Sequence, residues 1–270
     1  MKRDKLAEII FQNISNKKES LKKQFLKNSG KIGFFYLDNL LPEEIVLSIY
    51  KNFPELNNTV KRDSIRELKY TAFQMDKYDA ILEEVTYAFQ DKKVVNLVAD
   101  ICGVEEVFAD ANLYAGGLSL MAKDNFLNPH LDNSHDKDRN RWRVLNLLFY
   151  VTPDWKINYG GNLEVWPNGL KEKQITLESK FNRLVVMATH QNSWHSVSKV
   201  QVDKVRCCVS NYYFSEKPLL PSDTFHVTTF RGRPKEKLKD FVLQIDNGIR
   251  STLRKVFKKG VRENPHQYKK

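Results

Sequence analysis

The chain has 270 residues, 41% hydrophobic and 29% charged, the composition of an ordinary soluble protein long enough to bury a substantial core. No apolar run approaches the ~18 residues that span a bilayer, and the basic start MKRDKLAEIIFQ is too short and too interrupted for a signal peptide, so a cytoplasmic protein without a membrane span is expected. Three cysteines, Cys102, Cys207 and Cys208, form neither a disulfide framework nor a cysteine zinc site; the adjacent pair points to opposite faces if it lies in a strand.

The net charge of +11 is unevenly placed. Residues 217–270 carry 14 Lys/Arg against 5 Asp/Glu, so +9 of the +11 sits there. Such a segment suits an anionic partner, but a solvated helix face with a polar, loose end is the plainer reading.

In chain order, residues 1–104 read as mostly helical and packed on the core that follows. Leu6, Ile9, Ile10, Ile14, Leu21 and Phe25 recur near helical spacing. Ile32–Leu37 reads as a strand. Pro42, Glu43 and Glu44 open a helix that stops before Pro54. One longer helix is expected from about Tyr78 to Cys102, ended by Gly103. Residues 105–215 change character. Eight short runs rich in Val, Leu, Phe and Tyr are expected as strands: 107–114, 118–122, 128–132, 144–151, 162–166, 183–188, 194–200 and 205–214. Gly116-Gly117 and Gly160-Gly161 supply turns of positive φ. Such a run of strands predicts a sandwich or barrel, making the protein mainly β with flanking helices. Residues 216–270 form a basic extension, with one helical pattern after Pro234 made by Leu238, Phe241, Val242, Ile245, Ile249, Leu253 and Phe257.

The chemistry concentrates at Asn128-Pro129-His130-Leu131-Asp132. In a strand, residues two apart share a face, so His130 and Asp132 can reach one ion. His195 lies 65 residues later, at the head of another expected strand. Two histidines and a carboxylate on one face of an octahedral ion leave three positions open, as in non-haem Fe(II) oxygenases. Arg206 follows His195 by 11 residues inside an apolar strand. A buried guanidinium there is costly without an anion, and its planar fork suits a carboxylate.

The pattern His130-X-Asp132, Arg143-X-X-Asn146, Trp155, Gly160-Gly161-X-Leu163, His195 and Arg206 resembles the 2-oxoglutarate/Fe(II) dioxygenase superfamily, with the prolyl-4-hydroxylase-like branch closest. The resemblance covers about residues 105–215. It implies a double-stranded β-helix (jelly-roll, cupin-like) core and Fe(II), 2-oxoglutarate and O2 as reactants. It implies iron ligation by His130, Asp132 and His195, and an Arg206 grip on the distal carboxylate of 2-oxoglutarate. Tyr114 and Asn146 match further co-substrate contacts less closely, and Lys204 is the alternative anchor, since many prolyl hydroxylases use lysine there. The implied activity is hydroxylation of an unactivated C–H bond in a small molecule, a saccharide intermediate or a peptidyl residue.

Three other readings compete. His135 completes a local zinc or manganese cluster with His130 and Asp132, although it sits in a charged stretch that reads as a surface loop; His190 falls in a turn. A non-catalytic, cupin-like sugar- or ligand-binding jelly roll explains the strands and tryptophans. A nucleic-acid substrate is invited by the basic tail but disfavoured: the DNA-dealkylating branch carries a second arginine six residues beyond the first, and here that position is Tyr212. Arg139, Arg141 and Arg143 with Trp142 suit an anionic substrate or ordinary surface charge.

Overall fold

The structure, a computed structural model, describes residues 1–256 and 267–268. The helical pattern near the N-terminus becomes α1 (Arg3–Ser15), which buries Leu6, Ile10 and Ile14, and α2 (Lys18–Ser29), which buries Leu21 and Phe25. These apolar positions recur every three or four residues and so make one stripe. β1 (Phe34–Asp38) follows, then α3 (Glu43–Lys51) with Pro42 as its N-cap. Residues expected to be mostly helical next form a hairpin, β2 (Val60–Asp63) and β3 (Glu67–Ala72). The expected helix over 78–102 is two helices, α4 (Ala80–Ala88) and α5 (Lys92–Cys102). Asp91 causes the break: its carboxylate accepts from Lys93 N–H at 2.9 Å and caps a new start. Gly103 ends α5 in the left-handed conformation, φ 66°.

The strand-rich region supplies β4 (Val107–Ala109), β5 (Gly117–Met121), β6 (Phe126–Leu131), β7 (Trp142–Tyr150), β8 (Leu163–Val165), β9 (Ile175–Leu177), β10 (Arg183–Ala188), β11 (His195–Val197) and β12 (Arg206–Ser215). β13 (Thr229–Phe230) and α6 (Lys237–Val256) complete the described elements. The strands make one curled antiparallel sheet in the order β1-β10-β7-β12-β5-β3-β6-β11-β8-β9, with β2 paired to β3, β4 to β12 and β13 to β6 off that path. β3 is the hinge of the curl. It pairs with β5 through Tyr70–Ala72 and with β6 through Glu67 and Leu68, joining the two halves of a jelly roll.

Alternation along the strands sorts side chains into two environments. From β7, Leu145, Leu147 and Phe149 enter the core shared with α1 to α5, as do Cys207, Val209 and Tyr213 of β12 and Leu184 and Val186 of β10. Their neighbours Tyr150, Cys208, Val185 and Met187 turn to the other face, where they pack with Leu163 and Val165 between the sheet halves. Cys207 and Cys208 thus point apart as expected, and the three cysteines are free and buried.

Gly160 and Gly161 lie at φ 74° and 67°. A Cβ on Gly160 would sit 1.9 Å from the Lys199 carbonyl oxygen. Gly160→Ala combines this clash with a conformation open essentially to glycine, so a loss of about 3 kcal/mol or more is expected, read as a lower urea midpoint at unchanged slope.

α6 carries the expected apolar pattern but docks by another face. Leu243 is fully buried against Leu127 and Phe230, while Leu238, Phe241 and Ile249 are exposed. Polar pairs hold it: Asp240 takes two hydrogen bonds from Arg231, at 2.7 and 2.8 Å, and Arg250 donates to the Thr228 carbonyl at 2.7 Å. Phe257 of that pattern lies outside the described residues, as do 258–266, 269 and 270. The loose end expected from polarity is not what Gln267 and Tyr268 show, since both are buried. Tyr268 N–H bonds the Asn112 carbonyl, and its ring lies 6.2 Å from that of Tyr87. Among the described residues, no helix is long and apolar enough to cross a membrane.

Candidate metal centre and active-site cavity

β6 and β11 are antiparallel neighbours, and His195 is the direct register partner of His130. This pairing removes the 65-residue separation and sets the two rings 4.1 Å apart. His130 Nδ1 faces the Asn128 carbonyl and His195 Nδ1 faces the Ser193 carbonyl, each at 2.9 Å. Each ring then donates from Nδ1, which leaves the Nε2 lone pair for the centre. Asp132, just past β6, brings Oδ1 to 3.5 Å from His130 Nε2 and Oδ2 to 3.7 Å from His195 Nε2. One ligand atom from each residue lies within 4.8 Å of the others, and this is the one such cluster of His, Cys, Asp or Glu among the described residues.

The electrostatics hold Asp132 and His195 in ligand form. Burial alone would raise the Asp132 carboxyl, but the nearby Arg143 charge, the His130 hydrogen bond and the His195 charge together hold it far below the usual carboxylate range. Burial first, and then His130, pushes His195 down to about 4, so it is neutral at neutral pH. Asp132 Oδ2 is buried, has no hydrogen-bond donor and lies 3.5 Å from Arg143 Nη1. A buried carboxylate oxygen with an open lone pair beside two imidazole nitrogens is the donor set a cation such as Fe(II) requires.

The cluster opens on a cavity of about 1360 Å³. Arg206, Asn146, Tyr150 and Tyr114 line it. Arg206 is 3% exposed, and its Nε has no hydrogen-bond partner. Its guanidinium lies 5.4 Å from the Tyr150 ring centre, and no described acid forms an ion pair with it. Gly161 makes room for this arginine, since a Cβ there would meet Arg206 Cδ at 3.3 Å. Asn146 Oδ1 is likewise buried without a donor. Lys204, the alternative anchor, is exposed in the turn before β12.

Other expectations are corrected. His135 is 1% exposed, not on a surface loop, and packs edge-on to Phe225 outside the cluster. His190 stays in its turn, its Nδ1 accepting from Asn192 N–H at 3.2 Å. The three arginines after the metal motif separate. Arg139 lines the cavity, Arg141 lies over the Phe108 ring at 3.6 Å, and Arg143 is buried beside Asp132 and 4.3 Å from the Tyr212 ring centre. Sequence reasoning missed Tyr150. The alternation that carries Asn146 inward carries Leu148 and Tyr150 inward too, and that signal was available. It also missed the contribution of β2 and β3 to the cavity wall.

A curled antiparallel sheet that converges two histidines and a carboxylate on a pocket with a buried, acid-free arginine defines the oxygenase class of jelly rolls. Residues 116–214 match the family model described as the 2OG-Fe(II) oxygenase superfamily, and that segment of the chain belongs to it. The protein is an Fe(II)- and 2-oxoglutarate-dependent dioxygenase, an enzyme rather than a cupin-like binding protein. Solved structures agree on the fold. A Pseudomonas putida prolyl-4-hydroxylase aligns with TM-score 0.54 at 14% identity, over 72% of this chain and 98% of its own. A Phytophthora capsici prolyl 4-hydroxylase aligns with TM-score 0.56 at 18% identity, over 93% of this chain and 80% of its own. The non-haem epimerase SnoN from nogalamycin biosynthesis aligns with TM-score 0.52 at 10% identity, over 84% and 89%. No curated protein matches the sequence significantly.

Proposed function

We propose that His130, Asp132 and His195 hold the Fe(II), that Arg206 grips the distal carboxylate of 2-oxoglutarate, and that the enzyme hydroxylates an unactivated C–H bond of a small molecule, a saccharide intermediate or a peptidyl residue. The observation that carries this reading is the convergence of three ligand atoms within 4.8 Å on the cavity that also contains the acid-free Arg206. When bound, the metal and co-substrate supply the oxidation: one atom of O2 enters the C–H bond and the other enters the succinate formed as 2-oxoglutarate loses CO2.

The chain's own residues do the positioning. The carbonyls of Asn128 and Ser193 fix the two imidazoles in the tautomer that presents Nε2. Arg143 keeps Asp132 ionised. Arg206 offers a charged fork in a site shielded from water, where a bidentate contact with a carboxylate is strongest, and Asn146 and Tyr114 line the same cavity as polar contacts. Burial by Leu148, Leu163 and Val197 limits water at the reacting end. A cytoplasmic location belongs to the same reading, and the three free, buried cysteines fit a reducing compartment.

The test is succinate formation by the full chain with Fe(II), 2-oxoglutarate and O2. A mass-spectrometric screen of amino-acid, peptide and nucleotide-sugar pools should then reveal a product heavier by one oxygen atom. Absence of both iron binding and succinate overturns the reading.

A further inference from the structure

The catalytic end of the cavity uses Arg143 and Arg206, but the outer wall carries further cations that this chemistry does not need. Arg62 of β2 and Lys69 of β3 are direct cross-strand partners, and both line the cavity. Like charges placed directly opposite destabilise a strand pair. Glu67, on the same face of β3, pairs with Lys69 at 3.0 Å and lines the cavity beside both cations. Next to the hairpin the imbalance repeats. Arg66 and Arg250 line the cavity and share Asp246, at 3.8 and 2.9 Å, and Arg66 Nε is buried without a hydrogen-bond acceptor. Lys137, Asp138 and Arg139 line the cavity as well. Filling the catalytic end does not remove the excess, because Fe(II) and doubly charged 2-oxoglutarate cancel.

We propose that the substrate is a small molecule bearing a phosphate, held by Arg62 and Lys69 with Arg66 and Arg250 beside them. The proposal rests on the dioxygenase reading and specifies its substrate class. A tetrahedral dianion accepts several donors from different directions, and so relieves both like-charged pairs at once. The cavity, at about 1360 Å³, exceeds the ~300–1,000 Å³ of ordinary small-molecule sites and has room beyond the co-substrate. A nucleic-acid strand fits less well. Among the described residues, the aromatic rings lining the cavity are Tyr150 and Phe230, both buried, Tyr212, covered by Arg143, and Tyr114, which do not make the row of rings that successive bases stack on.

The test titrates uridine, UMP and UDP into the full chain loaded with nickel(II) and 2-oxoglutarate, followed by calorimetry. Affinity is expected to rise from undetectable for uridine through UMP to UDP. Arg62→Ala and Lys69→Ala should each weaken UDP at least tenfold, Arg62→Lys should restore part of the loss, and Lys199→Ala, at an exposed ion pair with Asp124, should change nothing. UDP binding no tighter than uridine, or indifferent to both alanine variants, overturns the proposal. An oligonucleotide that binds more tightly than UDP, with affinity growing with its length, replaces it with nucleic acid. Nickel and 2-oxoglutarate binding are read in the same preparations, so a chain that takes both and ignores UDP rejects the phosphate proposal alone.

Discussion

Replacing His195 with alanine should abolish 2-oxoglutarate turnover, by at least about a thousandfold, while leaving the chain folded. In the proposed centre each histidine supplies one Nε2 and Asp132 one oxygen, so losing any of them takes away a third of the protein's ligands and the geometry that leaves three adjacent positions open. The fold should tolerate the change. The His195 ring packs against His130 at 4.1 Å and makes one hydrogen bond, to the Ser193 carbonyl. Its removal also leaves one fewer buried imidazole resisting protonation. Succinate formation, nickel affinity and the melting temperature measured together check the prediction. Full turnover in the variant would remove His195 from the ligand set. Asp132→Ala should also abolish turnover, but with a stability loss of about 3 kcal/mol, because it strands the buried Arg143 whose Nη1 lies 3.5 Å from Oδ2. The contrast between the two variants separates the ligand role, which they share, from the charge-pairing role, which belongs to Asp132.

Arg206→Ala should raise the 2-oxoglutarate concentration required for half-maximal turnover by about a hundredfold or more, with much less effect on metal affinity. Truncating one partner of a buried, hydrogen-bonded charge pair typically costs about 2–5 kcal/mol of binding, which is roughly thirty- to several-thousand-fold. The free protein should be stabilised or unchanged, because Arg206 is a 3% exposed cation without an ion-pair partner. That pairing of outcomes, weaker co-substrate binding with no loss of stability, distinguishes a ligand-binding arginine from a structural one. Arg206→Lys should recover part of the affinity, since a single ammonium keeps the charge and loses the fork. An unchanged 2-oxoglutarate requirement in Arg206→Ala would shift the anchor elsewhere.

Most of the strands were legible because their alternation and turn residues are local. Residues 183–188 form a strand over their full predicted length, and Gly103 ends α5 where a left-handed residue was expected. The break at Asp91 was harder to see, because apolar periodicity runs through it and only the cap separates α4 from α5. The hairpin Val60–Ala72 was lost among helices. β2 carries charge on both faces, and the alternation of β3, Glu67 and Lys69 against Leu68, Tyr70 and Ala72, spans only six residues; what stabilises β3 is its pairing with β5 and β6, far away in the chain. The α6 stripe misled in the opposite way. Its periodicity was real, yet the helix is held by Leu243 and polar pairs on another face.

The sequence by itself determined the β-rich core and supplied the candidates for the chemistry: the residues proposed to bind iron and the arginine proposed to receive a carboxylate. Donor type, period-two spacing and the cost of a charge in an apolar strand are properties of residues and short segments, and they need no coordinates. Only the tertiary structure decided the rest. It made His195 the register partner of His130, buried Arg143 against Asp132 while turning Arg141 away, and brought the hairpin cations Arg62 and Lys69 to the same cavity. The physical reason is that pairing between distant strands sets which side chains share a space, and with it the local charge, and neither quantity is carried by any one segment of the chain.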